Sequence, residues 1–227
     1  MFELRKRCNR CVALILILVC WVLTANAQQE LPLEKLKTLA EGGDVNAQLA
    51  LGVRYYNGNG VPKDFDEAVK WYRKVADSGN VQAQILMGLC YEKGHGVEKD
   101  YTQACSWYRK AADKGDSNAQ LLFGSYLNRQ KRGRIDEQEA VELFRKSAQQ
   151  GNPNAQLLLS KCYFLGEGTD KDFVESYAYL NLAAVTNQTA KKMRETLEKM
   201  LSSDEIAKAQ KRTKQLQSEI VIPSPKK

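Results

Sequence analysis

The chain has 227 residues, 43% of them apolar and 27% charged, with a formal net charge of +7. That composition excludes a disordered chain and a polytopic membrane protein, and it allows one sizeable core. The basic excess is modest, and nothing in it demands a nucleic-acid partner.

The first 27 residues differ from the rest. Arg5, Lys6, Arg7 and Arg10 precede an apolar run from Val12 to Leu23, which closes on Ala25-Asn26-Ala27. This is the layout of a secretory signal peptide, and cleavage is expected after Ala27. The competing reading, an uncleaved anchor, needs roughly 20 apolar residues to span a bilayer, and the run is shorter. Removing residues 1–27 leaves 30 Lys+Arg against 26 Asp+Glu, a net +4. It also removes Cys8, Cys11 and Cys20 and leaves Cys90, Cys105 and Cys162, so only one intramolecular disulfide can form. An exported compartment is oxidising enough for one. Cys8-x-x-Cys11 has no second ligand pair nearby, so a zinc site is not indicated.

Leu33, Leu36, Leu39 and Ala40 follow, with the spacing of half a helix that stops at Gly42-Gly43; residues 28–42 read as an N-terminal capping helix. Then comes GDVNAQ (43–48), and the chain says nearly the same at GNVQAQ (79–84), GDSNAQ (115–120) and GNPNAQ (151–156). The Ala-Gln pairs begin at 47, 83, 119 and 155, an interval of 36 residues each time. A fixed period of this size is the mark of stacked supersecondary units, here 43–78, 79–114, 115–150 and 151–186.

Each unit divides into two helices. Asp44, Asn80, Asp116 and Asn152 are natural N-caps for the first, and Pro153 fixes the register because proline is favoured at the first helical position. In the second unit this helix runs from about Val81 to Lys93 and ends at Gly94 and Gly96; Gly58/Gly60 and Gly166/Gly168 match them. The second helix opens at Asp64, Asp100, Asp136 or Asp172, each with Glu or Gln three residues on, so four capping boxes are expected. A helical wheel groups Ala47, Gln48, Leu51, Gly52 and Tyr55 on one side of the first helix, and Phe65, Ala68, Val69, Tyr72 and Ala76 on one side of the second. One such pair leaves its apolar surface wet, whereas stacked neighbours cover it. Residues 187–220 read as two more polar capping helices, the second opening with Ser202-x-x-Glu205, and the tail 221–227 has no core pattern.

On these residues, AQLALGVRYYNGNGVPKDFDEAVKWYRKVADSG (47–79) and AQILMGLCYEKGHGVEKDYTQACSWYRKAADKG (83–115) closely resemble the Sel1-like repeat family, a relative of the tetratricopeptide repeat. The resemblance covers roughly residues 43–201. It implies an all-α fold, a right-handed α/α superhelix of about four 36-residue hairpins with helical caps. It also implies a scaffold for protein complexes or ligand recognition, without catalysis of its own; no cofactor or metal is expected. The third unit departs from the pattern: Leu127 replaces a tyrosine, and Asn128 to Arg134 replace the Gly-x-Gly connection. The departure is either tolerated surface variation or a contact surface.

In a solenoid whose second helices pack outside, the first helices line a concave groove. The stripe opposite their buried side comprises Asn46, Ala50, Val53 and Asn57; Gln82, Leu86, Leu89 and Lys93; Asn118, Leu122, Ser125 and Arg129; Asn154, Leu158, Lys161 and Leu165. Of these, Asn46, Val53, Asn57, Gln82, Leu89, Lys93, Asn118, Ser125, Arg129, Asn154 and Lys161 are the candidate partner-binding residues. The amides suit a peptide backbone and the apolar side chains suit apolar ones. The competing reading makes the amides cap supports and the leucines inter-unit core.

A basic stripe, Arg73-Lys74, Arg109-Lys110 and Arg145-Lys146, suits an anionic surface, but the helix-stabilising spacing of Asp66 with Lys70 and of Glu142 with Lys146 reads better as a solvated face. Cys90 and Cys105 sit at comparable heights on one hairpin, where a bridge competes with two ordinary buried thiols; Cys162 is left over. His95, the only histidine, lies between two glycines without a nucleophilic partner. The only Ser-x-x-Lys, Ser224 to Lys227, lies in the tail. The sequence therefore reads as an exported protein-interaction adaptor with no catalytic residues. The alternatives are a β-lactam-binding or hydrolytic envelope protein, and a structural envelope protein that contacts anionic glycan or lipid.

Overall fold

The computed structural model describes residues 31–130 and 133–220. The leader read over 1–27, the tail 221–227 with Ser224 and Lys227, and Lys131 and Arg132 of the third connection lie outside the described residues. Among the described residues the only regular elements are helices. In chain order they are α1 (Leu33–Glu41), α2 (Val45–Asn57), α3 (Phe65–Asp77), α4 (Val81–Lys93), α5 (Tyr101–Ala112) and α6 (Ser117–Gln130). α7 (Arg134–Gln149), α8 (Pro153–Leu165), α9 (Phe173–Ala183), α10 (Gln188–Glu198) and α11 (Ser203–Glu219) follow. No helix among them is long and apolar enough to cross a membrane.

The caps explain where the helices begin. Asp44 accepts the Ala47 N–H at 2.7 Å, Asn80 that of Ala83 at 3.0 Å and Asp116 that of Ala119 at 2.8 Å. Asn152 accepts from both Asn154 and Ala155, with Pro153 opening α8. Each bond satisfies one of the amide donors that a helix leaves orphaned at its start. Asp64, Asp100 and Asp172 do the same for α3, α5 and α9. The third unit corrects the expectation of a cap at every Asp. α7 starts earlier, behind Gly133, so Asp136 sits inside its first turn and accepts the Tyr101 hydroxyl at 2.8 Å. Nor do the carboxylates three residues on close the expected boxes: Glu139 pairs with Arg109 and Glu175 with Arg212. Among the described residues the complete capping box is the one at Ser202 and Glu205, which opens α11.

The described residues fall into two compact units that divide between Leu51 and Gly52. In the first, Leu36, Ala40, Ala47, Leu49 and Leu51 are buried. In the second, α4 packs on α5, α6 on α7 and α8 on α9, while α3 meets α4, α5 meets α6 and α7 meets α8. Consecutive hairpins thus lie side by side in chain order, and α10 and α11 both pack on α9.

The repeated Ala-Gln pair has two structural jobs. Ala83, Ala119 and Ala155 are at most 1% exposed, where a larger side chain would hold neighbouring helices apart. The glutamine side chain reaches back to the end of the preceding second helix. Gln48 Nε2 donates to the Ala40 carbonyl at 2.9 Å, Gln84 to Ala76 at 3.3 Å and Gln156 to Ala148 at 3.3 Å. Each of these carbonyls already accepts a backbone N–H in the closing turn, from Gly43, Gly79 or Gly151, so the buried glutamine amide finds its bond on the second lone pair. Gln120 instead accepts from Gln150 Nε2 at 2.9 Å.

A second device sets how closely the two helices of a hairpin approach. The backbone of Gly52 lies against the Tyr72 ring, Gly88 against Tyr108 and Gly124 against Phe144, close enough that an added Cβ would sit 2.7 to 2.9 Å from ring carbons. The fourth hairpin carries Ser160 at the glycine position and Leu180 at the ring position. The smaller partner leaves room for the hydroxyl, which donates to the Leu157 carbonyl at 2.8 Å.

Candidate functional site: the first-helix face

Asn46, Gln82, Asn118 and Asn154 hold one register position in α2, α4, α6 and α8, and all four are exposed. Two of these amides also tie neighbouring units together. Asn152 Nδ2 donates to Asn118 Oδ1 at 3.3 Å, and Asn187 Nδ2 donates to Asn154 Oδ1 at 3.2 Å. Their oxygens are therefore engaged by the next cap. Asn57, Lys93 and Arg129 are exposed at the other end of the stripe, and Val53, Ser125 and Lys161 are half-buried.

Leu89 leaves the candidate set. It is 6% exposed, with Leu86 at 9%, because α4 has neighbours on most of its circumference and every residue from Ala83 to Cys90 is buried. Leu122 and Leu158 pack on the main core. The leucines of this stripe are therefore largely inter-unit core, and the polar positions are what the face presents.

The basic stripe splits into two sets. Each arginine reaches across to the next unit: Arg73 Nη2 donates to the Tyr91 hydroxyl at 3.0 Å, and Arg145 Nη2 to the Tyr163 hydroxyl at 3.1 Å. In the third unit Leu127 stands where those tyrosines would be, and Arg109 turns to both oxygens of Glu139, at 2.5 and 3.0 Å. Arg145 also pairs with Glu142 on its own helix. The lysines beside them stay exposed, with Lys110 Nζ lying 4.1 Å from the centroid of the Trp107 ring. Sequence reading missed these inter-unit arginine contacts, although both partners recur at the 36-residue period and the one missing tyrosine was visible.

The bridge between Cys90 and Cys105 is not formed; Cys90, Cys105 and Cys162 are free thiols. Cys90 is fully buried, while Cys105 is half-buried in the company of Tyr101, Asp136, Arg109 and Glu139, so the two face different surroundings. Burial pushes the Cys90 and Cys162 thiols up to about 12. In the protein lacking residues 1–27, iodoacetamide at pH 8 is expected to label Cys105 first and the other two only on unfolding, because the thiolate is the reactive form. Peptide mapping by mass spectrometry checks the order.

His95 is not the exposed turn residue its flanking glycines imply. Its ring stacks on Phe65, centroids 4.2 Å apart and planes 11° apart, and its Nδ1 lies 2.9 Å from the Tyr56 hydroxyl. Desolvation, with Lys63 and Lys93 nearby, holds its pKa below the usual histidine value. Its surroundings are those of a packed loop residue.

The hairpins, their 36-residue register and the Ala-Gln tether together define the repeat, and the family profile described as Sel1 repeat matches residues 45–80, 81–116, 117–152 and 153–184. The chain belongs to the Sel1 repeat family. Its fold class is accordingly an all-α solenoid of helical hairpins, and proteins built from Sel1 repeats are generally protein-interaction scaffolds. A Sel1 repeat protein from Oxalobacter formigenes, known as a crystal structure, is 32% identical, with a TM-score of 0.63 over 81% of this chain and 76% of that one. A protective antigen present in uropathogenic Escherichia coli strains and displaying an SLR fold is 28% identical, with a TM-score of 0.44, covering 82% of this chain and 48% of that one. The secretory immunoglobulin A-binding protein EsiB of Escherichia coli O6:H1 is 50% identical over 42 residues. That match covers 18% of this chain, which spans only 9% of the length of this curated relative.

Proposed function

We propose that this Sel1 repeat protein is an exported adaptor whose first-helix face holds an extended segment of a partner protein, and that it carries no chemistry of its own. The observation that carries the reading is the row of exposed amides Gln82, Asn118 and Asn154, which recur at one register position while the apolar positions beside them sink into the core. A row of amide side chains recurring once per repeat offers donors to the carbonyls of an extended backbone, and the half-buried Val53 and Ser125 offer shallow contacts beside it. The leader read over residues 1–27 supports the exported part of this reading.

The test takes the partner recovered by cross-linking from the native envelope and measures its affinity for the purified adaptor. Replacing Gln82, Asn118 and Asn154 together by Ala removes three bonds worth about 0.5–1.5 kcal/mol each, so affinity is expected to fall about tenfold or more while helicity is kept. An unchanged affinity in a folded triple variant rejects this face.

A further inference from the structure

The third hairpin departs from the pattern by which the first helices end, and a cleft lies beside the end of its first helix. In the second and fourth hairpins the first helix stops on a left-handed glycine, Gly94 (φ 72°) or Gly166 (φ 73°). Gln130 holds that register position in the third, as the last residue of α6. The junction between the first and second hairpins is filled by His95, stacked on Phe65. At the next junction Tyr101 takes the place of Phe65 and Tyr126 that of Cys90, and the two rings stack with centroids 5.5 Å apart. The stacking partner is now supplied by a helix rather than by the loop. Beside it remains a cleft of about 220 Å³, lined by Tyr91, Glu92, Lys93, Lys99, Tyr101 and Tyr126 together with Gln130.

Size and charge narrow what enters it. Small-molecule and cofactor sites usually enclose about 300–1,000 Å³, whereas this space suits a single large side chain. Its acids are already engaged: Glu92 accepts from Arg129 at 2.6 Å and from the Tyr108 hydroxyl at 2.9 Å, and Asp136 holds the Tyr101 hydroxyl. Lys99 is exposed beside the tyrosines, and Lys93 is exposed with its Nζ 3.5 Å from Glu92 Oε1, a carboxylate it shares with Arg129. Tyrosine walls give broad, rigid amphipathic contact, and lysines at the margin steer and select an opposite charge.

We propose that this cleft receives an acidic segment of a partner protein: one aromatic or large apolar side chain enters between the tyrosines, and flanking carboxylates meet Lys93 and Lys99. The proposal rests on the adaptor reading only in naming a protein as the partner. The surface is separate from the amide row and shares only Lys93 with the first-helix stripe.

A fluorescein-labelled peptide Gly-Ser-Asp-Glu-Phe-Glu-Asp-Ser-Gly, with its Asn/Gln counterpart as the uncharged probe, tests it by anisotropy at low salt. The acidic peptide is expected to bind saturably and the uncharged one about tenfold more weakly. Lys99→Glu should weaken binding about fivefold or more, and Gln130→Trp, which fills the space, should do likewise. Lys208→Glu on the exposed face of α11 should change it by less than about twofold. The triple substitution at Gln82, Asn118 and Asn154 should leave peptide binding intact, so this site and the amide row fail separately. Equal losses from Lys99→Glu and Lys208→Glu would reduce the effect to net charge and overturn the proposal. So would the absence of saturable binding, including a result in which vesicles of anionic lipid bind and the peptide does not.

Discussion

Gly96→Ala is expected to destabilise the protein by about 3 kcal/mol, well beyond the usual range for a surface loop. Gly96 has φ 68°, a left-handed conformation that costs an L-residue about 1–2 kcal/mol. The larger part comes from what lies opposite. A Cβ there would fall well inside contact distance of the Phe65 carbonyl oxygen and 3.0 Å from the Asp66 nitrogen. These are backbone atoms in the first turn of α3, and no rotamer change moves them aside. The loop must lift, taking His95 off Phe65 and away from the Tyr56 hydroxyl. Gly168 is placed in the same way against the Glu137 carbonyl and should respond alike. Gly60 supplies the control: its φ is 71°, yet nothing lies within 4 Å of its Cβ position. Gly60→Ala should therefore cost only the conformational part. For a protein of this size the Gly96 and Gly168 variants should melt about 6–12 °C lower and the Gly60 variant about 2–8 °C lower, the smaller shift in a side-by-side comparison, read by circular dichroism. Equal shifts at all three positions would show that φ alone matters and that the loop does not bear on the preceding hairpin.

That contrast shows why some features were legible in the sequence and others were not. Caps and left-handed stops are local: Asn80 and Gly94 act on backbone within four residues, so their spacing in one chain gives their role away. Repetition then does the work of a comparison, since a feature present at 47, 83, 119 and 155 cannot be accidental. Position on the first-helix face is harder to read. α4 is covered on most sides, and burial all round removes the polar stripe by which a wheel separates inside from outside, so Leu89 looked available when it is core. The second helices, with one wet side, kept their stripe. Asp136 misled for a different reason. Its capping role depended on α7 starting after it, and the helix begins instead behind Gly133, freeing the carboxylate for Tyr101. The arginine contacts across units depend on pairs 18 or 30 residues apart, as in Arg73 with Tyr91 and Arg109 with Glu139. These become visible only when the repeat is laid on itself and both members of each pair are followed together.

The same device of following pairs yields the second large effect. Gly88→Ser is expected to cost about 2–3 kcal/mol, because its Cβ would stand 2.7 Å from two carbons of the Tyr108 ring. The ring cannot retreat: Tyr108 is 5% exposed, and its hydroxyl is held by Glu92 at 2.9 Å. Tyr108→Leu alone should cost a similar amount, from the space left against Gly88 and the bond withdrawn from Glu92. The fourth hairpin already carries the opposite combination, Ser160 at the glycine position and Leu180 at the ring position. Gly88→Ser combined with Tyr108→Leu transplants that solution into the second hairpin, so each change removes part of the damage done by the other. The double variant should be more stable than the sum of the single losses predicts, with a coupling of about 1–3 kcal/mol in urea denaturation. Strict additivity would mean that the approach of α4 to α5 is set elsewhere along the hairpin, and that glycine and ring are neighbours without being a lock.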